Sequence, residues 1–174
     1  MEPPRQPVPP PIQPKGFFTG VQIRPIIAGA VVDYVGTSVG MLLYIGFFYM
    51  GDALEKNGGP EKAIEEAFQQ MISSPEGLLT LFLIGILGTV LGGYVAGRLA
   101  KAEEVKHGAL VGAVALILGL VQSSMGDPSP VPPWYELLGY ILAIPAGALG
   151  GSIAGGRAKS SIRETGQGPR GFGS

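Results

Sequence analysis

Four long stretches of the chain are almost free of charge, and polar or Pro/Gly-rich segments separate them. They run from Ile26 to Met50, Leu78 to Gly97, Gly108 to Met125 and Leu137 to Gly156, and Asp33 is the one charged residue inside them. A helix rises about 1.5 Å per residue and a bilayer core is about 30 Å thick, so about 20 apolar residues cross it. A helix on the surface of a water-soluble protein carries an apolar stripe and a charged face. None of these four has a charged face. The pattern predicts an all-α polytopic membrane protein, a four-transmembrane-helix bundle with spans at about 26–50, 78–98, 108–125 and 135–156. The first span starts after about 25 residues and is longer than the roughly 7–15-residue core of a signal peptide, so it reads as an uncleaved anchor.

The periodicity changes between the first two spans. Asn57-Gly58-Gly59 interrupts the chain, and Pro60 suits a first helical position. Glu61, Glu65 and Glu66 favour the positive end of the helix dipole. Ile64, Ala67, Phe68, Met71 and Ile72 fall on one face. An amphipathic helix over about 60–73 is expected, lying on the outer membrane surface or capping the bundle. Residues 1–24 form a proline-rich tail, 25–157 the transmembrane domain and 158–174 a second tail; both tails are expected to be disordered and cytoplasmic. The PxxP spacing from Pro7 to Pro10 admits an adaptor role for the first tail, although such spacing arises in any proline-rich stretch.

Charge fixes the expected orientation. Ten of the twelve Lys and Arg residues lie in the first tail, the loop after the second span or the last tail. The remaining connections are acidic or lack basic residues. Basic residues mark the cytoplasmic side, so both termini are expected inside, with Trp134 and Tyr135 as aromatic anchors at the outer interface. Only 14% of the 174 residues are charged, against about 25% in an average soluble chain. A net charge of −1 gives no general attraction to nucleic acid. The absence of cysteine removes disulfides and thiolate chemistry.

Glycine spacing supplies the packing expectation. Gly147, Gly151 and Gly155 recur every four residues, as do Gly88, Gly92 and Ala96, beside the pair Gly93 and Gly97. Gly36 with Gly40 and Gly108 with Gly112 repeat the interval. Lipid gives helices no hydrophobic reason to associate, so close backbone approach along small residues must supply it. The segment Leu91 to Lys101 resembles Leu149 to Lys159, and the first and third spans share a weaker likeness. The chain therefore reads as two helical hairpins of the same orientation, related about an axis along the membrane normal.

Asp33 is the main chemical candidate. Ala30, Asp33, Thr37, Gly40 and Tyr44 share a helix face that should point into the bundle. A carboxylate in the apolar layer costs about 2.5–3.5 kcal/mol on insertion scales unless it is paired. Arg98 and Arg157, at the ends of their spans, are its candidate partners. Asp33 is either an ion, proton or substrate site or a helix-locking group, and the second is preferred because one acid makes a thin relay. His107 has no neighbouring ligand for a metal, and Glu103 is its expected partner. Pro145 is a candidate kink. No nucleotide, nucleophile-elbow or zinc-protease motif is present, so no enzyme activity and no cofactor are expected.

The segment Gly92-Gly93-Tyr94-Val95-Ala96-Gly97-Arg98-Leu99-Ala100-Lys101, followed by His107-Gly108-Ala109-Leu110-Val111-Gly112, resembles small four-helix bacterial inner-membrane proteins of unknown function, over roughly residues 24–160. The resemblance implies a bacterial or archaeal cytoplasmic membrane and carries over no functional residue. The leading functional expectation is a structural or accessory protein whose glycine seams pack against a second copy or a larger membrane complex, with the lipid bilayer as its medium. The alternative is a small channel or transporter that uses Asp33.

Overall fold

A computed structural model of the chain describes residues 16, 19–49, 51, 60–100, 102–125 and 131–165, excluding the side chains of residue 60 and of 157–165. The described residues form five helices and no strand: α1 Ile23–Phe48, α2 Pro60–Ser73, α3 Pro75–Ala100, α4 Glu104–Met125 and α5 Pro133–Thr165. Four of them, α1, α3, α4 and α5 as far as Gly156, are long and apolar enough to cross a membrane. The amino-terminal PxxP segment lies outside the described residues.

Helix starts follow local chemistry. Proline opens α2, α3 and α5, where its missing N–H leaves nothing unpaired and its φ is already helical. Ser74 makes the corner between α2 and α3. Its Oγ donates to Met71 O at 3.0 Å and accepts from Gly77 N at 3.0 Å, an N-cap bond that satisfies one free donor. Capping turns and charged end residues such as Glu104 lie outside an apolar count, so α3 and α4 each begin three or four residues earlier than the apolar pattern alone implies. The last helix also differs from expectation. It continues to Thr165, because the stretch after Gly156 holds no proline and its Arg, Lys, Ile and Glu residues tolerate a helix. The segment from 158 to 165, expected to be disordered, is helical.

The packing is inverted relative to a water-soluble bundle. Its contacts are made largely by glycine and alanine, and the largest fully buried side chains are only Met71, His107 and Val111. The large apolar side chains lie outside: Leu83, Leu87, Ile117, Leu138, Ile141 and Leu149 are all more than 40% exposed. Water-soluble monomers rarely show contiguous apolar surface on this scale. The arrangement suits helices that associate by close approach while their periphery meets lipid.

Glycine contacts set the helix order. A Cβ on Gly92 would stand 2.5 Å from Gly29 O, locking α1 to α3. One on Gly93 would meet Gly147 O, one on Gly97 would stand 2.9 Å from Ala154 Cβ, and one on Gly150 would meet Val90 O. These join α3 to α5. Gly108 and Gly147 face each other's carbonyls, Gly112 faces Ala143 O and Gly151 faces Glu104 O, joining α4 to α5. Gly155 only touches the Glu104 side chain, at 3.5 Å, and Gly36 has nothing within 4 Å. Gly36 therefore belongs to no seam, because the inward face of α1 runs through Pro25, Gly29 and Asp33 instead. Within each hairpin the helices pair, and α3 meets α5 between them. The relation is incomplete: α4 also leans on α3, whereas α1 and α5 make no close backbone approach.

Two features hold the ends. Helix α2 caps the bundle by burying Ala63, Ala67 and Met71 against Ile45 and Leu78, with Phe68 and Tyr44 beside them. The buried stripe runs through Ala63, and Ile64, expected on that face, turns outward at 42% exposed. At the opposite end His107 is fully buried. Its Nε2 accepts Gln22 N–H at 2.9 Å, so Nδ1 carries the ring proton and donates to Glu103 O at 3.0 Å. His107 thus caps the start of α1. Glu103, expected to pair with His107 through its side chain, instead offers its carbonyl, and its carboxylate holds Lys106 Nζ at 3.0 Å.

Candidate functional site

Because the backbones of α1 and α5 stay apart, a crevice of about 710 Å³ opens between α1 and the other three spans. Ligand sites usually measure about 300–1,000 Å³. Contact at Gly29, whose Cβ would be 2.7 Å from Val111 Cγ2, closes one end. From there the walls run along Ala30 to Thr37 of α1 and Val114 to Ser123 of α4. Tyr34 and Leu118, 65% and 52% exposed, line the crevice and leave it open at the side.

Asp33 lies near the closed end and is 8% exposed. Gly88 and Gly92 make its seat: a Cβ on Gly88 would stand 3.1 Å from Asp33 Oδ1, and one on Gly92 2.8 Å from Asp33 Cβ. The same glycine spacing that packs α1 onto α3 therefore admits the carboxyl. Thr89, 7% exposed, donates from Oγ1 to Asp33 Oδ1 at 3.2 Å. The same hydroxyl also reaches Gly85 O at 3.1 Å. It has one proton for two acceptors. Against a carboxylate, Thr89 donates to Asp33. Against a carboxylic acid, it can donate to Gly85 O and accept the acid's proton. The pair can hold either protonation state without an unmade bond. Thr37 supplies a second hydroxyl beside the carboxyl.

Toward the other end the walls carry Gln122, Ser123, Tyr135, Glu136 and Tyr140. The Phe82 and Tyr135 rings meet edge to face at 5.7 Å. Glu136 is seven residues from Ala143 on α5, roughly 10 Å along the axis. Among the described residues Asp33 and Glu136 are the only charged ones lining the crevice, with no Lys or Arg beside them.

The structure divides the expected site. Asp33 and Thr37 line the crevice together. Tyr44 leaves it for the α2 cap, where its ring stands 5.1 Å from Phe48 and 5.7 Å from Tyr49. Arg98 is exposed and lies nine residues beyond Thr89, about 13 Å along α3, so it does not pair with Asp33. The Arg157 side chain lies outside the described residues. Pro145 is exposed within the continuous helix α5, away from the crevice. Thr89 was the residue to find from sequence, because Thr80, Thr89 and Tyr94 are the only polar side chains between Leu78 and Gly97. Among the described residues no group of three or more His, Asp or Glu side chains could hold a metal ion.

Four apolar helices and a periphery of large aliphatic side chains fit an integral membrane protein with four spans. Comparison with known protein families, curated proteins and solved structures finds no match to this chain.

Proposed function

We propose that the protein binds a small solute in the crevice at Asp33 and carries it across the bilayer. The observation that supports this is a nearly buried carboxyl, partnered by hydroxyls and, among the described residues, by no cation, at the closed end of a ligand-sized space. A carboxyl kept only to lock helices needs no adjoining cavity. An intramembrane acid facing one is a functional candidate on physical grounds. The reading as an accessory protein relied on glycine seams available to a partner. Six of the seven packing glycines, all but Gly155, meet other helices of the same copy closely, which takes up the surface that reading needed. The bias of basic residues supports a cytoplasmic loop at Arg98 and Lys106 with α2 outside, and the resemblance of the glycine-rich segment supports a bacterial or archaeal cytoplasmic membrane.

Purified protein in liposomes tests the proposal. Uptake of radiolabelled or fluorescent solutes should exceed that of empty vesicles, and Asp33→Asn should remove most of the difference. Equal flux for the two proteins across ions, protons and organic solutes of either charge would refute it.

A further inference from the structure

We infer that the solute is a lipophilic organic cation, admitted sideways from the bilayer between Tyr34 and Leu118. This rests on the reading of the crevice as a solute site and adds the class of ligand. Charge is the first argument. Two carboxyls at different depths, Asp33 and Glu136, line a space to which no described residue adds a Lys or Arg. In an apolar layer, where charges interact more strongly than in water, that wall attracts cations and repels anions.

Surface chemistry narrows the class further. A small metal cation gives up hydration and needs several oxygen ligands in exchange. Near Asp33 the walls offer two threonine hydroxyls amid aliphatic groups such as Ala30, Ile86 and Val114, a poor replacement for a hydration shell. A bulky cation with its charge spread under apolar substituents has little hydration to lose. The rings of Tyr34, Phe82, Tyr135 and Tyr140 also line the space, and aromatic faces attract such cations within about 6 Å. The route follows from the opening. Tyr34 and Leu118 stand at the side of the bundle among lipid-facing residues, so a solute dissolved in the membrane reaches Asp33 without crossing α2.

Two probes of matched shape and opposite charge decide the matter: tetraphenylphosphonium and tetraphenylborate, with binding measured by equilibrium dialysis of the full chain in mild detergent. Tetraphenylphosphonium should bind saturably with one site per chain, and tetraphenylborate should not. Asp33→Asn should weaken the cation at least tenfold, with helicity and elution volume unchanged. Gly139→Phe provides a second variant. Gly139 lines the crevice and has nothing within 4 Å of its Cβ position, so a side chain can start there unobstructed and take up crevice volume, and cation binding should be lost. Saturable binding of both probes, or of neither, overturns the inference. So does cation binding that survives both variants.

The parent reading fails separately. The chain lacks cysteine, so Ala115→Cys reports access to the crevice by a small thiol reagent in liposomes. If it labels, and Asp33-dependent flux is found for some other solute, only the ligand class is wrong. If it does not label and no flux is seen, the solute site itself is refuted.

Discussion

Replacing Gly29 by alanine adds one methyl group where α1, α3 and α4 converge. The new Cβ would stand 2.5 Å from Gly92 O, 2.7 Å from Val111 Cγ2 and 2.8 Å from Ala96 Cβ, whereas ordinary contact begins near 3.4 Å. The nearest obstacle is the backbone of a helix, so no rotamer change relieves it, and α1 must retreat by about 0.9 Å. Overpacking of this kind typically costs about 1–3 kcal/mol. Alanine recovers at most about 1 kcal/mol through its higher helix propensity. The net expectation is a loss of about 1–2 kcal/mol, roughly 5–30-fold in the folded-to-unfolded ratio. Gly36→Ala on the same helix is the control. Nothing lies within 4 Å of its Cβ position, so it should be neutral or stabilising by up to about 1 kcal/mol. Helicity and tryptophan fluorescence during titration with sodium dodecyl sulfate in mixed micelles measure both. Gly29→Ala with Gly92→Ala should be non-additive, since each methyl is blocked by the other residue's carbonyl. Equal effects of the Gly29 and Gly36 variants would refute the claim that α1 is held by backbone approach.

Three further outcomes follow from the contacts. Thr89→Val keeps the shape but removes the hydroxyl on Asp33; it should cost about 0.6–2 kcal/mol in the same titration, with Thr89→Ser recovering most of it. A cost equal to that of Thr89→Ser would deny the bond a role. His107→Leu strands the Gln22 N–H at the start of α1, at about 1–3 kcal/mol; amide exchange at Gln22 should quicken at least fivefold, and an unchanged rate counts against the cap. Met71→Ala opens a hole under α2, costing about 2–5 kcal/mol locally. Hydrogen exchange should rise across Pro60–Ser73 and stay flat in α4 and α5; a uniform rise would mean that α2 is not a separate cap.

The spans were legible because a run without charge is a one-dimensional signal. Leu78 to Gly97 contains none, and a helix covers it. Helix ends were less legible, since Ser74 and Glu103 act through side-chain or carbonyl geometry that hydropathy does not record. The glycine interval coincides with close approaches at Gly88, Gly92, Gly93, Gly97, Gly147 and Gly151. It overlooked Gly29, which has no small residue four away, and Gly150, whose neighbours at that interval are Ala146 and Ala154 and not glycine, and it drew in Gly36, where the interval occurs without a facing helix. Asp33 was found because a charge in an apolar run is conspicuous. Of its expected partners, Arg98 is separated by depth: it has the right sign but lies at the helix end, whereas Thr89 has the right level. The crevice was not legible at all. It exists because α1 and α5 stay apart, a relation between segments about a hundred residues distant that no local pattern encodes.

The inverted distribution of side-chain size also governs how this chain can drift. In a water-soluble bundle, selection grips leucine and isoleucine and lets the exterior wander. Here Leu83, Ile117 and Leu149 face the outside and can exchange with any residue of similar oiliness, while the smallest residue in the alphabet bears the strictest demand on bulk. Related chains should therefore vary among their large aliphatic positions and keep Gly29, Gly92, Gly112 and Gly147. A mutational scan should find its intolerant sites where there is least side chain to remove.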